Sequence, residues 1–82
     1  MTAELAGRIR QFVIQNFYVA EPQSLLDDAS LLDRGVIDST GVLELIGFLE
    51  REFAISVADE EMLPENLDSI DRIAGYVGRK IG

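Results

Sequence analysis

Two aspartate-serine pairs are the parts of this 82-residue sequence best suited to chemistry. Asp38 and Ser39 precede one patterned apolar stretch, and Asp68 and Ser69 precede another. A serine hydroxyl can accept a transferred group. A short oxygen-bearing side chain at a helix start can instead accept hydrogen bonds from the unpaired N–H groups of the first turn. Capping alone is the expectation for Asp68-Ser69, whereas at Ser39 the dipeptide by itself leaves both roles open.

The chain contains neither histidine nor cysteine. A Ser-His-Asp triad, a thiolate metal site and a histidine metal site therefore cannot be built from it. Because Ser39 has no evident base to activate it, we expect an acceptor of chemistry supplied by another protein, with no catalytic residue and no enzyme activity. The acidic residues between positions 27 and 38 do not match the spacing of an EF-hand loop, so we predict no metal site.

A helix that runs to Phe53 must position Ser39. Its apolar residues Val42, Ile46, Leu49 and Phe53 recur at steps of four, three and four, which is the period of a helix that buries one face. Gly35 lies just before this helix and permits the positive φ of a sharp turn.

Similar spacing predicts a first helix from a cap at Thr2 to about Tyr18 and a last helix from about Ser69. The apolar residues that carry this spacing are Leu5, Ile9, Phe12, Val13 and Phe17 in the first helix and Ile70, Ile73, Ala74 and Val77 in the last. Asp59 can cap one short turn, which Pro64 is expected to stop. We therefore predict an all-α fold for residues 1–82: one small domain with three long helices, one short helix and a long ordered loop between the first two long helices. In the connection 19–37, the repeats Ser24-Leu-Leu-Asp27 and Ser30-Leu-Leu-Asp33 can each close a turn.

The negative charge is concentrated in the middle of the chain. Thirteen acidic and two basic residues lie between Glu21 and Asp68, giving about −11, whereas two acidic and five basic residues outside this range give about +3. Such a field repels nucleic acid and anionic lipid and steers basic protein surfaces toward this region. The alternative is a surface that only keeps the protein in solution.

The segment GVIDSTGVLELIGFLEREF resembles the acyl carrier protein and peptidyl carrier protein family, whose signature is Asp-Ser followed by an apolar, acid-bearing helix. The pattern Leu-x-x-Gly-x-x-Asp-Ser, formed by Leu32, Gly35, Asp38 and Ser39, is also similar, and the likeness extends from Leu31 to Val77. It implies a 4′-phosphopantetheine group, derived from coenzyme A, on Ser39 beside Asp38. A phosphopantetheinyl transferase would attach it, using magnesium. Acyl or aminoacyl groups would then be carried as thioesters on its terminal thiol.

The resemblance also implies partner enzymes, namely a loading ligase or synthetase and acyl-transferring enzymes of fatty-acid, polyketide, nonribosomal-peptide or other specialised biosynthesis. Their docking stripe is expected along the helix face that the core leaves free. The predicted partner-binding residues are Thr40, Leu43, Glu44, Gly47 and Glu50.

Several positions differ from the carriers of fatty-acid synthesis. Thr40 and Gly41 stand where that pattern has leucine and an acid, Gly47 replaces a bulky apolar residue, and Arg51 replaces an acid. The glycines suggest a flat docking surface or a locally flexible helix. These differences favour a specialised stand-alone carrier that serves a discrete ligase.

The first residues are MTAELAGRIRQF, in which charged side chains are spread among apolar ones, whereas a signal peptide has a basic stretch followed by an apolar block. No apolar run in the sequence reaches membrane-spanning length. We expect a soluble, cytoplasmic monomer that binds neither membrane nor nucleic acid. The alternative function is an acidic helical interaction domain without a covalent cofactor, in which Asp38-Ser39 is only a cap.

Overall fold

A computed structural model describes residues 2–17, 19, 21, 23 and 25–81, and these form four α-helices. α1 is Thr2–Asn16, α2 is Ser39–Phe53, α3 is Pro64–Leu67 and α4 is Ile70–Ile81. A 3₁₀ turn, Asp59–Glu61, precedes α3, and no strand forms among the described residues. The all-helical prediction is therefore confirmed. The Cα radius of gyration is 11.5 Å, close to the value of about 12 Å expected for a compact chain of this length.

α4 lies against both α1 and α3, and its buried face forms the centre of the core. The four apolar residues predicted for that face, Ile70, Ile73, Ala74 and Val77, are all buried. On α1, Ile9 and Val13 are buried at the predicted spacing, and the helix ends at Asn16. The predicted cap by the Thr2 side chain lies outside what the structure describes, and the helix ends two residues before the predicted end at about Tyr18.

α1 and α2 meet through aromatic rings. The rings of Phe12 and Phe48 are stacked with centroids 4.0 Å apart, and Phe17 and Phe53 pack edge-on against them at 5.9 and 6.0 Å. These are all four phenylalanines of the chain. Arg8 lies 4.9 Å from the centre of the Phe53 ring and forms an ion pair with Glu52, so a cation of α1 closes one edge of this contact.

The loop before α2 is tied to the junction between α3 and α4. The Leu31 N–H donates to the Asp68 carbonyl (2.7 Å), and the Asp71 N–H donates to the Asp27 carbonyl (2.8 Å). The Asp33 N–H also donates to Ser30 Oγ (3.1 Å), which closes the second of the two predicted turns. The first predicted turn begins at Ser24, which lies outside the described residues.

The segment after α2 differs from the prediction at Pro64. This residue does not stop the short turn; it begins α3, because the first helical position needs no N–H donor and the proline ring already has a helical φ. Asp59 is also not the cap of the turn that it begins. The Ala58 N–H there donates instead to the Glu61 carboxylate (3.0 Å).

Candidate functional site

Ser39 is the first residue of α2, and its side chain is exposed. The N-cap is Asp38, whose Oδ1 accepts a hydrogen bond from the Gly41 N–H (2.7 Å) while its carbonyl accepts from the Val42 N–H (2.9 Å). Among the described residues, none forms a hydrogen bond with the Ser39 hydroxyl. Because Asp38 performs the capping, this hydroxyl is left for another use.

The second aspartate-serine pair has the two roles reversed. Ser69 is only 2% exposed, and its Oγ accepts a hydrogen bond from the Arg72 N–H (3.1 Å), so serine is the cap of α4 as predicted. Asp68 reaches across to the loop, where its carboxylate accepts from the Ser30 hydroxyl (2.6 Å) and the Leu32 N–H (3.0 Å). The sequence did not predict this role of Asp68, since Ser30 lies 38 residues earlier.

The loop fixes the direction from which the chain enters Ser39. Gly35 has φ of 71°, the left-handed conformation that favours glycine. The N–H groups of Val36 and Ile37 then donate to the Leu31 carbonyl (3.0 and 3.3 Å), and the side chains of Leu31 and Ile37 are buried. The turn at Gly35, predicted from sequence, thus leads into Asp38 and Ser39 directly from Ile37, whose side chain is anchored in the core.

A cleft of about 360 Å³ opens beside Ser39. Its walls are the loop before α2, the first turn of α2 and the segment 62–68. Ser39 and Asp68 supply polar groups, and the other lining residues are apolar: Leu31, Leu32, Ile37, Val42, Met62, Leu63, Pro64 and Leu67. The size and apolar lining are typical of sites for small organic groups. Sequence reasoning missed this cleft, although the apolar run Met62-Leu63-Pro64 within an acidic segment was a signal for it.

Glu61 anchors the segment that forms the far wall of the cleft. Its Oε1 accepts hydrogen bonds from the Ala58 N–H, the Tyr76 hydroxyl and the Lys80 ammonium group, each at 3.0 Å. The hydrogen bond from Ala58, followed by those from Lys80 and Tyr76, lowers the pKa of Glu61 to about 2. Burial, together with the hydrogen bond to Glu61, raises the pKa of Tyr76 to about 12. This carboxylate thus joins the 3₁₀ turn to α4.

The predicted docking stripe lies along α2 with unequal exposure. Thr40, Leu43 and Glu44 are exposed, Leu43 by 65%, whereas Gly47 and Glu50 are half-buried. Glu50 Oε2 accepts a hydrogen bond from the Val57 N–H (2.9 Å), which ties α2 to the following loop. The structure brings the five residues onto one helix, and their role in docking stays a prediction.

Gly41 does not belong to a flat surface beside Ser39, as the sequence suggested. It is buried, and a Cβ at this position would lie 2.9 Å from Phe17 Cε1 and 3.3 Å from Asp38 Oδ1. Gly41 is therefore explained by close packing of the start of α2 against Phe17, which follows the end of α1, since contacts this short leave no room for a side chain.

The charges near Ser39 differ from those at the periphery. Three ion pairs join basic residues near the chain ends to acidic residues in its middle: Arg8–Glu52, Arg10–Asp27 and Lys80–Glu61. Asp33, Asp38 and Glu44 are exposed and form no ion pair within the described part of the chain. These carboxylates contribute negative charge in the segments next to Ser39, where Arg34 of the loop before α2 is an exposed cation. Nowhere among the described residues do three acidic side chains cluster as a metal ion would require.

In the part of the chain that the structure describes, no helix has both the length and the apolar character needed to cross a membrane. Comparison with models of known protein families and with curated proteins found no match. The function must therefore be inferred from the residues and geometry of this chain.

Proposed function

We propose that this chain is a carrier protein of the acyl or peptidyl carrier type. A 4′-phosphopantetheine group on Ser39 would hold acyl or aminoacyl groups as thioesters and present them to partner enzymes of fatty-acid, polyketide, nonribosomal-peptide or other specialised biosynthesis. The chain itself is not an enzyme in this proposal. Its long loop is the ordered connection that positions Ser39, and the cytoplasmic location stays a prediction.

The observation that carries the proposal is the division of roles between Asp38 and Ser39. Since Asp38 caps α2, the Ser39 hydroxyl is exposed and free of hydrogen bonds to the described residues. The N–H groups of Ser39 and Thr40 likewise have no acceptor among those residues. A phosphodiester on Ser39 would lie at the positive end of the α2 dipole, beside these donors.

The residues next to Ser39 also suit the group and its cargo. The Ser39 side chain lies at the cleft of about 360 Å³, so an arm attached there begins at the mouth of an apolar space. Val42 of α2 and Leu63 of the opposite wall offer apolar contacts to an attached chain, whereas Asp68 provides the one carboxylate at this site. When bound, the group supplies a terminal thiol on a long flexible arm. Ser39 holds the arm, and the cleft can exclude water from an apolar cargo.

Intact mass spectrometry tests the proposal. The purified protein is incubated with coenzyme A, magnesium and a broad-specificity phosphopantetheinyl transferase. We expect wild type to gain the mass of one phosphopantetheine group and Ser39→Ala to gain none. Ser56→Ala removes an exposed serine in the loop after α2 and is the matched control, expected to be modified as wild type is.

An unmodified wild-type protein would contradict the carrier proposal and favour an acidic interaction domain. A gain of mass by Ser39→Ala would instead show that another residue is the acceptor, and the assignment of Ser39 would be wrong.

A further inference from the structure

The two walls of the cleft beside Ser39 are joined through Asp68. The Ser30 hydroxyl and the Leu32 N–H of the loop donate hydrogen bonds to its two carboxylate oxygens (2.6 and 3.0 Å). The Leu31 N–H, between them, donates to its backbone carbonyl (2.7 Å). Asp68 also lines the cleft itself. The distance between the loop wall and the wall formed by 62–68 therefore depends on this residue, and its two carboxylate hydrogen bonds are called the Asp68 tie below.

The wall formed by 62–68 is fixed mainly at its two ends. At one end is the Asp68 tie, and at the other is Glu61, whose carboxylate is hydrogen-bonded to α4. Between these two anchors the side chain of Leu67 is buried, whereas that of Leu63 is exposed. Since the segment has few contacts of its own with the core, releasing one end is expected to let this wall move away from the loop.

The rim of the cleft is apolar on both sides. Leu32 of the loop wall is 42% exposed and Leu63 of the opposite wall is 41% exposed, and both line the cleft. An apolar group that enters between them removes apolar surface from water on both walls at once. The cleft is therefore better suited to an alkyl chain than to a charged or strongly polar cargo.

The volume of the cleft limits the length of such a chain. A methylene group is about as large as a water molecule, roughly 30 Å³, so a cleft of about 360 Å³ has room for about twelve such groups when filled completely. An octanoyl group is below this limit and a hexadecanoyl group is above it. When a chain that is too long enters with its tail first, the thioester at its other end stays outside in water.

We propose that the Asp68 tie sets the size limit of the cargo: by fixing the width of the cleft, it lets a medium-length acyl group be enclosed and leaves a long one partly in solvent. Asp68 is a positioning residue in this inference, because it holds the walls in place through Ser30 and Leu32. The inference rests on the proposed function, since it concerns the cargo of an arm attached to Ser39.

Protection of the thioester from hydroxylamine tests the size limit. The broad-specificity transferase loads wild type from octanoyl- or hexadecanoyl-coenzyme A, and intact mass spectrometry follows the cleavage of each thioester, compared with the same acyl-coenzyme A free in solution. Each buried methylene group favours the inserted state about fourfold, so we expect the octanoyl thioester to be cleaved at least about tenfold more slowly than the free one. The hexadecanoyl thioester, left outside, should be slowed by no more than about twofold.

Asp68→Ala removes the tie and keeps the hydrogen bond from Leu31 to the backbone carbonyl, so the walls stay connected. We expect protection of the octanoyl thioester to fall about fourfold and that of the hexadecanoyl thioester to rise by a similar factor, the effect of one methylene group. Ser30→Ala removes one of the two bonds and should change both values in the same directions by less.

Asp28→Ala is the matched control, because Asp28 is an exposed aspartate of the same loop that does not line the cleft. We expect wild-type protection of both thioesters from it. Circular dichroism checks that each variant is folded, and if Asp68→Ala does not fold, Ser30→Ala decides the result.

The outcomes distinguish this inference from the proposed function. If wild type is not loaded at all, the carrier function fails. If wild type is loaded but protects both thioesters equally, or protects neither, the size limit is refuted while the carrier function stands. The role of the tie is likewise refuted if folded Asp68→Ala behaves as wild type does, if it loses protection of both thioesters together, as a general loosening of the fold would cause, or if Asp28→Ala changes as much.

Discussion

Replacing serine by alanine in the two aspartate-serine pairs is expected to change the stability of the protein by different amounts. The Ser39 side chain is exposed and its hydroxyl has no partner among the described residues, so Ser39→Ala should change the free energy of unfolding by no more than about 0.5 kcal/mol. Ser69 is buried and its Oγ caps α4, so Ser69→Ala removes an N-cap acceptor. Loss of an N-cap acceptor lowers the free energy of unfolding by about 1 kcal/mol, within a range of roughly 0.5–2 kcal/mol.

Equilibrium urea unfolding followed by circular dichroism can resolve this difference. A loss of about 1 kcal/mol corresponds to a fall in Tm of roughly 4–8 °C for a domain of this size, so thermal unfolding provides a second measurement. Asp38→Ala completes the comparison, because it removes the cap of α2 and should cost about as much as Ser69→Ala.

An equal loss of stability in Ser39→Ala and Ser69→Ala would contradict the different roles of the two hydroxyls. In that case Ser39 would have a structural role, and its hydroxyl would not be free for attachment. Equal stability of wild type and Asp38→Ala would also contradict the assigned roles, because the cap of α2 would then not be Asp38.

Three further substitutions test contacts around the site. Gly41→Ala should destabilise by about 1–2 kcal/mol in urea unfolding because its Cβ meets the Phe17 ring, and a gain in stability would contradict that packing. Asp68→Ala should lower the free energy of unfolding by about 2–3 kcal/mol, because it removes two hydrogen bonds to the loop. The control Asp28→Ala changes an exposed loop residue and should lower it by less than about 0.5 kcal/mol. Equal losses in the two variants would contradict the role of Asp68 in holding the loop. Glu61→Gln should destabilise at neutral pH. Because folding lowers the pKa of Glu61, the advantage of wild type is present above pH 4.5 and declines as the pH falls toward 2; an advantage that does not change with pH would contradict this role.

The helical fold was predictable because it depends on local periodicity. The spacing of Ile70, Ile73, Ala74 and Val77 is a property of consecutive residues, and all four are buried. Gly35 was predictable for the same reason, since the positive φ of a sharp turn depends on the residue at the turn itself. Each of these inferences needed only the residues within one or two turns.

The misjudged residues are those whose role depends on distant parts of the chain. Gly41 resembled a surface residue because the Phe17 ring next to it belongs to a segment that is distant in sequence, just after α1. Asp68 resembled a cap because its partner Ser30 is far away in sequence. Pro64 was misjudged for a different reason, as proline both stops helices and favours their first position, and the sequence alone did not distinguish these.

In the candidate site, too, the features formed by consecutive residues were predictable and those formed by distant residues were not. Ser39 could be singled out from sequence because Asp-Ser and the apolar helix that follows it are contiguous. The cleft beside it could not, since its walls come from three separate segments of chain, as residues such as Leu32, Val42 and Leu63 show. The relative exposure of Thr40, Glu44 and Glu50 likewise depends on which neighbouring segments pack against α2.

The hydrogen bond between Tyr76 and Glu61 also gives the protein an optical reporter. The chain has no tryptophan and two tyrosines, of which Tyr18 lies outside the described residues. In the folded state burial, together with the hydrogen bond to Glu61, raises the pKa of Tyr76 to about 12 from its ordinary value of 10.0. Ultraviolet absorbance of tyrosinate between these two pH values therefore distinguishes folded from unfolded chains without any added label, and it follows the segment that forms one wall of the Ser39 cleft.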